Sequence, residues 1–357
     1  MCDMCDQQAS DNQAKTGTKV IPVNEAVGMI LPHDITEIIP GEFKGTAFKK
    51  GHVVRKQDIE HLKRIGKEHL YLLEIKDDEV HENDAALAMA NALAGTGVKM
   101  EGEPSEGKIN LVAEMDGLLR VKHQSLTEFN MLGEVMCATL HNNFVVKKGQ
   151  VLAGTRAIPL VVKKAVVDEA VKIAENAGSI LSVQSIRKPK AGIVITGNEV
   201  YHGKIKDAFE PVITGKIKNL DGEITGVHFA PDNAKFIEDR IKELIDAGAD
   251  LIITTGGMSV DPDDVTRFAI RNIGVDELQY GSPVLPGAMF LVAYIGDIPI
   301  LGIPACGMYA SITVFDLILP RVLAGERIGR REIAELGHGG LCLKCEKCQY
   351  PVCPFGK

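Results

Sequence analysis

The chain has 357 residues, 45% of them hydrophobic, with a formal net charge of −8 and a pI near 5.7. That length can bury a large core and divide into two or more domains, while the acidic balance and the absence of tryptophan argue against nucleic-acid binding. No apolar run reaches membrane-spanning length, and Met-Cys-Asp-Met-Cys-Asp at the start lacks the basic and apolar regions of a secretory signal, so a cytoplasmic protein with no membrane partner is expected.

Residues 1–19 are polar, carry Cys2 and Cys5 as a C-x2-C pair, and read as a flexible arm. Residues 20–78 read as a small, β-rich α+β module. It has a Gly- and Lys-rich hairpin over 41–51, a one-sided helix over 57–65 built on Ile59, Leu62 and Ile65 and stopped by Gly66, and a strand over 70–75. Residues 79–186 read as a second small module. Its expected parts are an Ala-rich helix over 83–95, a linker over 95–107, short strands and turns to 154, and a helix over 158–177 ended by Gly178.

From 187 to 325 strands, loops and helices alternate, which predicts an α/β domain of three α/β/α layers around a mostly parallel sheet. Strands are expected at 191–195, 225–229 and 251–253, helices at 214–220 and from Asp232 to the stop at Gly248. A hairpin crosses Gly296-Asp297, and an apolar helix ends near Gly325. Residues 326–357 form a cysteine-rich tail.

Three post-strand loops join Gly to polar or acidic groups: Thr196-Gly197-Asn198-Glu199, Thr255-Gly256-Gly257-Met258-Ser259 and Ile303-Pro304-Ala305-Cys306-Gly307. In an open α/β sheet, ligands bind in the crevice beyond the carboxyl ends of the strands. After the second loop, Asp261 fits an N-cap, Pro262 the first helical position, and Asp263 and Asp264 complement the helix dipole. A well-capped helix needs nothing more than that for stability. Three carboxylates where a helix would otherwise attract phosphate point instead to a phosphorylated ligand handled with a metal ion. Asp232 reads as an N-cap; Asp207 is ambiguous.

Residues 187–325 resemble the molybdopterin-binding domain shared by molybdopterin adenylyltransferases and molybdopterin molybdotransferases. The resemblance rests on Thr196-Gly197-Asn198-Glu199, Asp207, Asp232 before a helix, Thr255-Gly256-Gly257-Met258-Ser259 with Asp264, Pro286-Gly287, and Pro304 with Gly307. Residues 20–28 also resemble the start of the metal-inserting branch. It implies that Thr196, Gly197, Asp207, Thr255, Gly256, Gly257, Ser259, Pro304 and Gly307 bind molybdopterin, free or adenylylated. Glu199, Asp232 and Asp264 would be the catalytic acids, holding Mg²⁺ or molybdate. Implied partners are molybdate or tungstate, a molybdoenzyme apoprotein, and a second copy in a homodimer.

The chain departs from the family pattern. Asn198 replaces an Asp, Ala208 and Phe209 replace Ser-Asn, Asp261 replaces a Gly, the 284–288 loop carries no lysine, and Pro-Gly-Asn-Pro becomes Pro304-Ala305-Cys306-Gly307. Retained acids favour a molybdotransferase-like enzyme that assists metal insertion. Missing lysines favour a non-catalytic pterin carrier or an iron- or sulfur-responsive scaffold.

Cys342, Cys345, Cys348 and Cys353 follow a C-x2-C-x2-C-x4-C-P spacing. It resembles a ferredoxin-type run with one extra residue and equally suits a four-cysteine zinc site, so an iron–sulfur cluster or Zn²⁺ is expected there. Cys306 reads as a small buried hydrophobe.

Overall fold

The computed structural model describes residues 18–73, 75–258 and 264–357. Among them, no helix is long and apolar enough to cross a membrane. The chain falls into two compact units: the first up to Met115 with Leu119–Asn142 and Val146–Val183, the second built on Gln184–Lys357 with Asp116–Leu118 and Asn143–Val145.

In the first unit, Ile35–Ile39 and Phe43–Phe48 form an antiparallel hairpin, and Thr18–Pro22 pairs with His69–Leu73. The helix expected over 57–65 spans Asp58–Arg64 and buries Leu62, with Gly66 at positive φ behind it. A four-stranded antiparallel sheet packs on helix Glu82–Leu93, whose Ala85, Ala86, Met89, Ala90 and Leu93 face it. Three expectations fail here. The linker over 95–107 is largely strand Val98–Ser105, because main-chain pairing with Lys108–Ala113 overrides the Gly and Pro content. Helix His123–Asn130 lies in a stretch read as strands and turns. The helix expected from 158 begins at Lys164, after strand Val161–Lys163.

Labels below are counted within the second unit. Its six-stranded sheet comprises β1 (Lys190–Thr196), β2 (Glu223–Ala230), β3 (Leu251–Thr255), β4 (Glu277–Tyr280), β5 (Leu291–Ile295) and β6 (Ile298–Ile303), in the order β2-β1-β3-β6-β5-β4. β1, β2, β3 and β6 are parallel, and β5 and β4 close one edge antiparallel. Every residue of β3 is buried, as suits a strand covered on both faces. Helices α1 (Phe209–Lys218) and α4 (Val314–Leu323) pack on one face around Phe209, Ile213, Ile217, Phe315 and Ile318. Helices α2 (Ala234–Asp246) and α3 (Thr266–Asn272) cover the other around Ile237, Ile241, Leu244, Ala269 and Ile270. This is the three-layer α/β/α arrangement.

The helix expected at 214–220 starts five residues earlier, at Phe209, because Asp207 satisfies its first amides. α3 starts at Thr266, four residues beyond the expected first position at Pro262; Asp261, Pro262 and Asp263 lie outside the described residues. α5 (Arg330–Glu335) and the tail complete the unit, with Phe355 buried in the same core as α4.

Candidate active site

Because β1, β3 and β6 run parallel, their carboxyl ends meet one edge of the sheet. The loops behind them line a cavity of about 670 Å³ with Thr196, Glu199, Asp207, Gly256, Gly257, Met258, Asp264, Pro304 and Cys306 in its wall. The Leu285–Met289 loop and the tail residues Leu341, Cys342 and Lys344 close another side.

Thr196 is the junction. Its buried hydroxyl donates to the Thr255 carbonyl at 2.8 Å and stands 3.0 Å from the Thr266 hydroxyl. With its single hydrogen committed to Thr255, it accepts from Thr266, and so ties β1, β3 and α3 together. The glycines beside it have no room for a side chain. A Cβ on Gly256, at φ +76°, would lie 2.3 Å from the Thr196 carbonyl oxygen, and one on Gly257 would lie 2.3 Å from the Thr266 hydroxyl. The Thr255 hydroxyl is buried without a hydrogen-bond partner among the described residues.

The acids are not equivalent. Glu199 and Asp264 line the cavity. Asp207 does too, but its carboxylate accepts the Phe209 amide at 3.1 Å and the Glu210 amide at 2.7 Å, which makes it the cap of α1. Asp232 is not in the cavity wall and does not cap α2. Asn233 does that, accepting from the Phe236 amide, while Asp232 and Asn198 exchange side-chain and backbone hydrogen bonds at 3.0 and 3.2 Å. Gly197, Thr255 and Gly307 shape the turns from behind the wall, and Ser259 lies outside the described residues.

Sequence reasoning missed the tail's part in this wall and missed Lys206. The Leu285 amide donates to the Gly340 carbonyl and the Cys342 amide to the Leu285 carbonyl, both at 2.8 Å, a short parallel bridge that lays the tail beside the 285–288 loop. Lys206 had a signal in its place next to Asp207. The tail's position had none.

Cys342, Cys345, Cys348 and Cys353, with Cys306, line a neighbouring cavity of about 490 Å³. Among the described residues no three His, Cys, Asp or Glu side chains are grouped to hold a metal ion, so these sulfurs share a cavity without converging on one point. The expected four-cysteine centre has no such grouping among the described residues. The path of the tail follows from the Leu285 bridge and the buried Phe355 instead. Burial pushes the Cys306 thiol pKa up, so it is no ready thiolate.

Residues 192–324 match the family described as a probable molybdopterin binding domain, and residues 20–74 match a domain of unknown function. This stretch resembles a molybdopterin-binding domain. Among curated proteins, a CinA-like protein of Mycobacterium avium is 37% identical over 92 residues, 24% of this chain and 21% of that one. The match thus spans about a fifth of the relative's length. Among solved structures, the molybdopterin biosynthesis Mog protein of Mycobacterium ulcerans is 19% identical over 38% of this chain and 98% of its own, with a TM-score of 0.34. A molybdopterin biosynthesis MoeA protein of Pyrococcus horikosii covers 89% of this chain and 78% of its own at 16% identity, with a TM-score of 0.33. The matched stretch holds all three strand-tip loops that carried the resemblance.

Proposed function

We propose that the protein binds molybdopterin, free or adenylylated, in the strand-tip cavity and assists insertion of molybdenum or tungsten into it. The supporting observation is the gathering of Glu199, Asp264 and the Gly256-Gly257 turn in one open wall of a cavity large enough for a small cofactor. Glu199 and Asp264 supply two carboxylates. Mg²⁺ bound there would complete its oxygen shell from ligand phosphate and water, which is its usual habit in phosphate sites. The metal would offset phosphate charge; the two acids would fix where that charge sits. Asp232 acts through Asn198, holding the first turn after β1, and is a positioning residue in this reading. Molybdate or tungstate is the second substrate, and a molybdoenzyme apoprotein is the acceptor of the product.

The test is incubation of the purified protein with adenylylated molybdopterin, Mg²⁺ and molybdate, following AMP release. Release by the wild type, with at least a hundredfold loss in Asp264→Asn and retained ligand binding, supports the enzyme. One observation favours a second reading, a pterin carrier: the Leu285–Ala288 loop offers no cation to a diphosphate linkage. Tight pterin binding without AMP release would decide for the carrier.

A further inference from the structure

Glu199, Asp207 and Asp264 bring carboxylates to the strand-tip cavity. Two lysines outside the loops that carry the family resemblance, Lys206 and Lys344, line it too. Neither lysine side chain makes an ion pair or hydrogen bond among the described residues. By contrast, Lys216 pairs with Asp316 and donates to the Ser311 carbonyl at 2.8 Å, and Lys235 pairs with Asp239. We propose that Lys206 and the tail residue Lys344 form the phosphate-binding end of the cavity, so that the tail selects the phosphate ester of a pterin over the unphosphorylated pterin. This rests on the pterin reading given above.

Two alternatives for seating a phosphate are closed off. The N-terminus of α1 borders the cavity, and a bare helix end attracts anions, but the Asp207 carboxylate already accepts its Phe209 and Glu210 amides. An incoming phosphate there would meet a carboxylate rather than free amides. The 285–288 loop, Leu285-Pro286-Gly287-Ala288, contains no charge. A fixed cation is a strong partner for phosphate in a cavity wall, and the lysines supply it.

The position of Lys344 is set by backbone contacts. The parallel bridge to Leu285 fixes Leu341 and Cys342 beside the uncharged loop. Two residues on, Lys344 takes a left-handed conformation at φ +52°, and its amide donates to the Cys342 sulfur at 3.5 Å. That turn puts Lys344 in the cavity wall with Cys342. A non-glycine residue held in this region is costly and persists where its surroundings over-determine it. Lys206 lies between the Glu199 carbonyl, which accepts the Lys204 and Ile205 amides, and Asp207, which accepts the first amides of α1, so both cations are carried by segments that hydrogen bonds fix.

The experiment compares 6-hydroxymethylpterin with its phosphate monoester, titrated by pterin fluorescence against wild type, Lys344→Gln, Lys344→Arg and Lys206→Gln. Thermal melts confirm that each variant is folded. The expected result is that wild type prefers the ester about tenfold or more. Lys344→Gln and Lys206→Gln should each lose about tenfold on the ester and nothing on the alcohol, and Lys344→Arg should keep the preference. Equal affinity of wild type for both probes, or equal weakening of both by Lys344→Gln, overturns the proposal. If neither pterin binds, the pterin reading fails, and calorimetry with inorganic pyrophosphate judges the lysines alone. Pyrophosphate binding that Lys344→Gln abolishes upholds the anion site without the pterin; no pyrophosphate binding by wild type overturns it.

Discussion

The Thr196 hydroxyl lies 2.8 Å from the Thr255 carbonyl oxygen and 3.0 Å from the Thr266 hydroxyl, so one buried side chain couples two strand tips and a helix start. Thr196→Val keeps the shape and removes both bonds, leaving the buried Thr266 hydroxyl and Thr255 carbonyl short of a partner. The expected cost is about 1–3 kcal/mol in denaturant unfolding, with weaker pterin binding, while Thr196→Ser stays close to wild type.

Gly256 is bound to its identity by two independent constraints, φ +76° and a Thr196 carbonyl oxygen 2.3 Å from where its Cβ would be. Gly256→Ala is expected to cost about 2–3 kcal/mol and to abolish ligand binding. Gly248→Ala is the control. It shares a positive φ, +91°, but has open space around it, so its cost is about 1 kcal/mol and binding survives. Equal costs in the two variants would show that backbone strain alone matters.

Asp207 serves α1 through both of its carboxylate oxygens. Asp207→Ala should lose about 1–2 kcal/mol of stability, whereas Asp207→Asn, which can still accept one amide, should lose less than half of that. Thermal melts check it. A loss of ligand affinity in Asp207→Asn without a loss of stability would make Asp207 a direct ligand contact instead of a cap.

Tyr350 lies in the tail, where burial, and then the Asp316 and Cys353 charges, push its phenol pKa up to about 12 from 10.0. An acid whose folded pKa is raised contributes stability that is whole below its unfolded pKa and is lost as the pH climbs toward the folded one. The window is therefore pH 10 to 12, and the loss is on the order of 1 kcal/mol for a partly exposed ring. Tyr350→Phe should flatten that part of the stability curve while leaving pH 7 stability nearly unchanged, as read by denaturant titration at a series of pH values.

The strand-tip site was legible because its signals are local. Buried parallel strands announce themselves as β-branched runs such as Ile252-Ile253, and glycines beside Thr196 and Thr255 mark the turns that must follow. Parallel topology does the rest, since it sends all three loops to one edge. The acids were legible as a group but not by role. Nothing in the local sequence distinguishes Asp207, which caps a helix, from Glu199, which faces the cavity. Asp232 reads from the sequence as the cap that its neighbour Asn233 provides. The tail was illegible for another reason. Its position depends on Leu285 and on the pocket that receives Phe355, both far away in sequence, and a polar, cysteine-dense segment carries no periodicity that names such partners.

The Leu285 bridge and the buried Phe355 hold the tail at two points, and the residues between them form a strap pinned at both ends. A strap of this kind can change its curvature but cannot swing away. Whatever brings Cys345, Cys348 and Cys353 nearer to Cys342 must therefore bow the strap in place. Because Cys342 and Lys344 are in the wall of the strand-tip cavity as well, any such bowing would alter the shape of that chamber at the same moment.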